Sequence, residues 1–239
     1  MTARFSLLKK ARKHYRNLDY PQAIEILDTE FFKDDAIAHY ILGQIYTYAN
    51  KRETNLRSDI VKAMKHFKHS SELGYKEASY EIAQNYELGI GVKTSHNMAS
   101  KFYQKAITQG HIIAKYHLAD LYVDHFPEKT TYSIELLQEI ITDKEYEGLA
   151  CSKLGKIYLL GTGINKDYQK AKKWFEKGLE FENYNCAMDL SYLYFYALGV
   201  EKNLKKALLL VEQAGEDHIL YEEVKEAIEQ EIASPNILH

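Results

Sequence analysis

Small, large and aromatic positions return along this chain at a fixed interval. Ala78, Ala114, Ala150 and Cys186 stand 36 residues apart. Four and five residues after each comes a large apolar side chain followed by a small one: Ile82-Ala83, Leu118-Ala119, Leu154-Gly155 and Leu190-Ser191. Three residues further stands a tyrosine, as Tyr86, Tyr122, Tyr158 and Tyr194. Ala38, Leu42, Gly43 and Tyr46 repeat the pattern once more, four residues out of step. These spacings put the apolar groups on one helical stripe, and the small residue lets a neighbouring helix approach closely.

A second helix is predicted in each unit. Lys62-Ala63, Met98-Ala99, Lys170-Ala171 and Lys206-Ala207 are each followed, three residues after the alanine, by a bulky pair: His66-Phe67, Phe102-Tyr103, Trp174-Phe175 and Leu210-Val211. Between the helices lie Gly89-Ile90-Gly91-Val92, Gly161-Thr162-Gly163-Ile164 and Ala197-Leu198-Gly199-Val200. Glycine there ends the first helix at positive φ, and the β-branched residue after it tucks under the turn. A phosphate cradle would need a strand before the glycines and a Lys-Ser/Thr pair after them, and neither is present.

The combination Ala-x-x-x-Leu-Gly-x-x-Tyr-x-x-Gly-x-Gly followed by Lys-Ala-x-x-Trp-Phe-x-Lys resembles the Sel1-like repeat, a branch of the tetratricopeptide superfamily. Residues 150–177 carry the closest match and residues 78–110 the next. The resemblance covers roughly residues 36–215 and implies an all-α, right-handed superhelical solenoid of about six antiparallel helix pairs with a C-terminal capping helix. We read 1–239 as one such solenoid: a tetratricopeptide-like hairpin over 1–35, Sel1-like repeats over 36–215, and a capping helix and tail over 216–239. In the hairpin, Leu7, Leu8, Ala11 and Tyr15 face Ala23, Ile26 and Leu27, and Pro21 opens the second helix. In the cap, Val224, Ala227, Ile228 and Ile232 form the apolar stripe. Two departures are expected to be visible: residues 123–131, with Pro127, replace the glycine loop of the fourth unit, and the polar stretch 50–59 is expected to project as a longer loop.

Composition narrows the function classes. The chain of 239 residues is 46% hydrophobic, 27% charged and has a formal net charge of −3, an ordinary globular balance. No apolar run is long enough to span a membrane, and the basic start, with six Lys or Arg in its first 16 residues, lacks the apolar core of a secretory signal. Two cysteines are too few for a disulfide framework, which points to a reducing cytoplasm. Basic residues at the start and acidic ones at 212–231 are expected to keep the ends solvated. The groove positions are mixed to neutral in charge, so nucleic acid is not an expected partner.

Chemistry is sparsely indicated. His66 and His69 stand at helical spacing with no third ligand nearby in sequence, so packing is the reading preferred over a metal site. Cys186 replaces a repeated alanine and reads as a small buried side chain. No nucleophile motif is present. We therefore expect no catalytic residues, no metal and no cofactor. Some cysteine-rich Sel1-like proteins are linked to cell-wall or β-lactam chemistry; this chain lacks those cysteines, which leaves such a hydrolase the least supported alternative.

Binding is better indicated. In the superfamily, first-helix positions between the packing residues line a concave wall. Here these are Tyr40, Tyr80, Tyr116, Ser152 and Met188 in one row; Gln44, Gln84, Asp120, Lys156 and Tyr192 in a second; and Thr47, Glu87, Val123, Leu159 and Phe195 in a third. Tyrosines beside amide and charged groups suit recognition of a protein or extended peptide. The expected function is an adaptor holding a partner in this groove through Tyr40, Gln44, Tyr80, Gln84, Glu87, Tyr116, Asp120, Lys156, Met188 and Tyr192. The alternatives are that these tyrosines pack against neighbouring helices, and that the partner is a secreted bacterial toxin for which this chain is the immunity protein.

Overall fold

A computed structural model describes residues 3–49 and 59–233. Of the stretch expected to project at 50–59, only Asp59 falls among the described residues. The described residues form thirteen α-helices and two short 3-10 turns, with no strand. They gather into two compact units, Met1–Leu118 and Ala119–His239, the division falling within one helix.

The first unit opens with the hairpin α1 (Ala3–Arg16) and α2 (Tyr20–Leu27). Pro21 sits in the first turn of α2, where its missing N–H costs nothing. Ala11, Ala23 and Leu27 are buried between the two helices, whereas Leu7 is exposed. Two repeats follow: α3 (Ala36–Tyr48) with α4 (Ile60–Glu72), and α5 (Lys76–Leu88) with α6 (His96–Thr108). Helix α7 (Ile113–His125) begins the next.

The second unit continues with α8 (Thr130–Ile140), then the pairs α9 (Glu147–Leu160) with α10 (Tyr168–Glu180) and α11 (Asn185–Phe195) with α12 (Leu204–Ala214). Helix α13 (Tyr221–Ala233) ends it. Tyr221 and Ile228 anchor α13, but Ala227 and Ile232 are exposed. Its apolar stripe is therefore narrower than the sequence spacing implies.

Four of the helix pairs are closed by the same two contacts. The repeated tyrosine's carbonyl accepts the backbone N–H of the residue that caps the second helix: Asp59 to Tyr46 at 2.8 Å, Ser95 to Tyr86 at 2.8 Å, Asp167 to Tyr158 at 2.9 Å and Asn203 to Tyr194 at 3.0 Å. Those four side chains then accept the N–H of Lys62, Met98, Lys170 and Lys206, satisfying donors that a helix start leaves open. Gly89 and Gly161 end their first helices in the left-handed conformation. In the sixth unit Ala197 takes the same region, with φ 55°.

Glycine is required for a second reason at the following turn position. A β-carbon on Gly91 would lie 1.8 Å from Ile60, one on Gly163 2.1 Å from the Pro127 carbonyl, and one on Gly199 2.6 Å from Tyr168. Each loop thus presses on the start of the preceding unit's second helix. The fourth unit lacks the glycines and instead uses the 3-10 turn Pro127–Lys129, with no side-chain cap on α8.

Candidate partner-binding cleft

The first-helix rows read from the sequence divide between the two units. In the first unit the candidate side chains are half-buried and bonded within the chain. Tyr40 accepts from Gln44 at 2.8 Å, donates to Glu81, and packs on Tyr75 at 4.9 Å. The Tyr80 ring stacks on His111 at 4.4 Å and meets His117 and Tyr103. Glu87 accepts from the Tyr103 hydroxyl, Tyr116 stands edge-on to His117, and Gln84 is half-buried. In the second unit Asp120 pairs with Lys153, and Lys156 Nζ lies 3.7 Å from Asp189. Met188 is buried, while Tyr192 is 46% exposed.

These contacts reveal a further row, three residues after the repeat-opening position: Glu81, His117, Lys153 and Asp189. Each faces a candidate residue of the preceding repeat: Tyr40, Tyr80, Asp120 and Lys156 respectively. Burial raises the carboxyls of Glu81 and Asp189 and lowers His117 and Lys153, so in every unit the row is shifted towards its neutral form. Sequence reasoning missed this row. Its signal was available: an ionisable residue next to the core position in four successive units.

Asp189 differs from the rest of the row. Its Oδ2 atom is closed off from solvent and is ion-paired with Lys156, whose Nζ lies 3.7 Å away. Desolvation pushes its carboxyl up to about 6, against the opposing pull of Lys156. The residue lies on the wall of a cleft of about 460 Å³ within the second unit. Leu159 and Leu160 from the end of α9, Met188, Tyr192 and Phe195 from α11, and Glu223, Val224 and Ala227 from α13 line it. Leu160 is 62% exposed and Tyr196 55%, and Tyr196 packs on Tyr192 at 4.5 Å and on Phe195 at 4.7 Å. Four sequence-read positions, Leu159, Met188, Tyr192 and Phe195, meet here with apolar residues that the repeat register did not single out.

Groups capable of other chemistry sit elsewhere. Burial holds the thiols of Cys151 and Cys186 up at about 11 and about 12. Cys186 Sγ fills the space beside Gly178, the packing role its repeat position predicts. The fold brings His39 to His66 and His69, a proximity the sequence did not show; His39 Nδ1 is 2.9 Å from His66 Nδ1. The outer nitrogens of His39 and His69 both donate to the Lys33 carbonyl, and among the described residues no group of His, Cys, Asp or Glu is arranged to hold a metal ion. No helix among them is long and apolar enough to cross a membrane.

Successive helix pairs of similar length, four of them closed by the same cap contacts, and bearing their variable residues on the first helix, define an α-solenoid repeat protein. The Sel1 repeat model matches residues 36–75, 76–111, 148–180 and 184–217, more than half of the sequence, and the chain belongs to the Sel1 repeat family. The unmatched stretch between 111 and 148 holds the turn that lacks glycines. The crystal structure of a Sel1 repeat protein from Oxalobacter formigenes is similar over 97% of this chain and 91% of its own, with a TM-score of 0.72 and 20% identity. A protective antigen present in uropathogenic Escherichia coli strains, displaying an SLR fold, is similar over 95% of this chain at 25% identity and a TM-score of 0.74. An uncharacterized protein of Neisseria meningitidis serogroup B is 23% identical over 202 residues, 84% of this chain. The chain spans 49% of the E. coli protein and 41% of the Neisseria protein.

Proposed function

We propose that this chain is a non-catalytic interaction module that holds a polypeptide partner against the cleft formed by α9, α11 and α13. Sel1 repeat proteins generally serve as protein-interaction scaffolds. The observation that carries the reading is the exposure of aromatic and aliphatic side chains around one concavity: Leu160, Tyr192, Tyr196 and Leu220 are all exposed beside a 460 Å³ cleft. Large apolar groups gathered at a concave site, with few polar groups among them, are what a partner's anchor residue buries against. The two free, buried thiols support a reducing, cytoplasmic setting. An adaptor and a cognate inhibitor of a toxin would both use such a cleft, and the identity of the partner separates them.

The test is capture from a lysate of the parent organism by the immobilised full chain, quantified by mass spectrometry. The chain carrying Tyr192→Ala and Tyr196→Ala is compared with wild type and with Leu209→Ala, an exposed position outside the cleft. A partner held by wild type and Leu209→Ala but lost from the double variant supports the cleft. Capture equal in all three removes it.

A further inference from the structure

The charges of α10 are sorted by face. Lys172 pairs with Glu176 at 3.2 Å, whereas Lys170, Lys173 and Lys177 share one stripe with the half-buried Trp174, at the three- and four-residue spacings that make helical neighbours. Like charges at these spacings repel, and among the described residues only Lys170 of the three has an ion-pair partner, Asp167 at 3.4 Å. The stripe, Tyr158 at the end of α9 and Gln138 of α8 line a shallow pocket of about 370 Å³ within the second unit, with no carboxylate in its wall.

The other repeats show what this pocket leaves open. Lys62 and Lys206, at the position of Lys170 in their units, donate to the hydroxyls of Tyr46 and Tyr194 at 2.6 and 2.8 Å. Lys170 makes no such bond and stands 5.1 Å from the Tyr158 ring, against 4.2 and 4.3 Å in the other two units. Among the described residues, neither the Tyr158 hydroxyl nor the Trp174 indole N–H has a hydrogen-bond partner. Past Tyr158 and Lys170 the pocket continues into a groove of about 530 Å³ lined in part by Ile134 and Ile164. Charge is balanced there, Lys166 and Lys170 facing Glu135 and Asp167.

We propose that the groove between α8 and α10 is a second docking surface, for a polypeptide segment whose acidic residue sits among Trp174, Lys173 and Lys177 and whose apolar residue lies over Ile134 and Ile164. A carboxylate is the acceptor that the ammonium, indole and phenol donors lack, and bonds from charged donors to it are the stronger kind. Nucleic acid suits the groove less, because a phosphate at every nucleotide would meet Glu135 and Asp167 in the balanced part. The groove shares only Lys166 with the cleft of α9, α11 and α13, so each surface stands or falls by itself.

Trp174 is the single tryptophan of the chain, so its fluorescence reports on this pocket. The test is selection of a phage-displayed library of random 12-residue peptides on the immobilised full chain, followed by titration of the selected Trp-free sequences as synthetic probes. Peptides bound in the groove are recognised by a change in Trp174 emission, and these are expected to combine Asp or Glu with a large apolar residue. The chain carrying Lys173→Gln and Lys177→Gln is expected to bind such a probe about five- to tenfold more weakly, the scale of two exposed ion pairs. A chain carrying Lys144→Gln and Lys205→Gln, exposed lysines outside the groove, matches it in net charge and is expected to bind like wild type. None of the four lysines is buried, and thermal melts check that both variants are folded. The proposal is overturned if no selected peptide changes Trp174 emission, if those that do are neutral or basic, or if the two double variants bind equally. It is also overturned if a 12-nucleotide oligothymidylate binds more tightly than the best peptide and is lost from the Lys173→Gln, Lys177→Gln chain, which would make the groove a nucleic-acid surface.

Discussion

The ring of Phe175 occupies the space where a β-carbon on Gly155 would stand: the nearest ring atom lies 2.3 Å from that position. Gly43 and Phe67 have the same relationship in the first unit, at 2.6 Å. In these two units the glycine of the first helix is thus the seat of the bulky residue on its partner helix. Gly155→Ala sets two magnitudes against each other. Helix propensity favours alanine by about 1 kcal/mol, whereas overpacking a filled core costs about 1 to 3 kcal/mol. The expected outcome is a net loss of stability and a lower melting temperature. A rise in melting temperature would mean that the ring has room to move and that the contact is slack.

The caps make a second prediction. Asn203 Oδ1 accepts the Lys206 N–H at 2.9 Å while its own N–H closes the turn on Tyr194. Asn203→Ala removes the first bond and keeps the second, and is expected to cost about 1 kcal/mol in denaturant unfolding. Asn203→Asp retains an acceptor and is expected to stay near wild type.

Much of the fold was legible because it is repeated. A motif met four times fixes helix boundaries, the packing glycine and the turn, and the structure places Leu154, Phe175 and Cys186 in the core as the register requires. The capping residues Asp59, Ser95, Asp167 and Asn203 were present in the sequence but differ in identity, so their shared role emerged only from the bonds they make. The cleft was less legible for a physical reason. Leu160, Tyr196, Leu220 and Glu223 lie outside the first-helix rows, and their proximity depends on how α13 meets α11, which no repeat period encodes.

Two tyrosines, one from each of the first two rows, are expected to separate stability from binding. Tyr80 is enclosed by His111, His117 and Tyr103, and its removal opens a cavity in the first unit. Tyr80→Ala should lower the melting temperature clearly, by a cost on the order of 2 kcal/mol, below that of fully buried aromatics because the ring is only half-buried. Tyr192 borders the cleft with nearly half its surface exposed. Tyr192→Ala should leave the melting temperature within a degree or two, while reducing partner capture. A stable Tyr80→Ala chain would mean that the ring contacts contribute little and that the tyrosine is free to face a partner.

Acid should destabilise the first unit before carboxylate titration is complete, and His66 shows why. The Lys33 carbonyl can only accept, so His39 Nε2 carries a proton and its Nδ1 is the acceptor for His66 Nδ1–H. A second proton on His39 would set two N–H groups 2.9 Å apart. Burial, followed by the repulsion of His39, lowers His66 to about 4, with Lys62 and Lys65 acting in the same direction and Asp28 against it. Burial also lowers His39, His111 and His117. An unfolded histidine takes up its proton near 6.5, whereas folded His66 stays neutral until about 4. Between those values the unfolded chain binds more protons, so stability falls as pH falls, and above about 7 this contribution is flat. The histidines are therefore expected to leave melting temperature level from pH 8 to 7 and to lower it from 6.5 to 4, while the raised carboxyls of Glu81 and Asp189 act in the opposite direction. His66→Gln removes the titrating group, so its decline over that interval should be shallower even if its melting temperature at pH 8 is lower. Parallel pH profiles for the two proteins would show that the imidazole pair is not what couples this fold to protons.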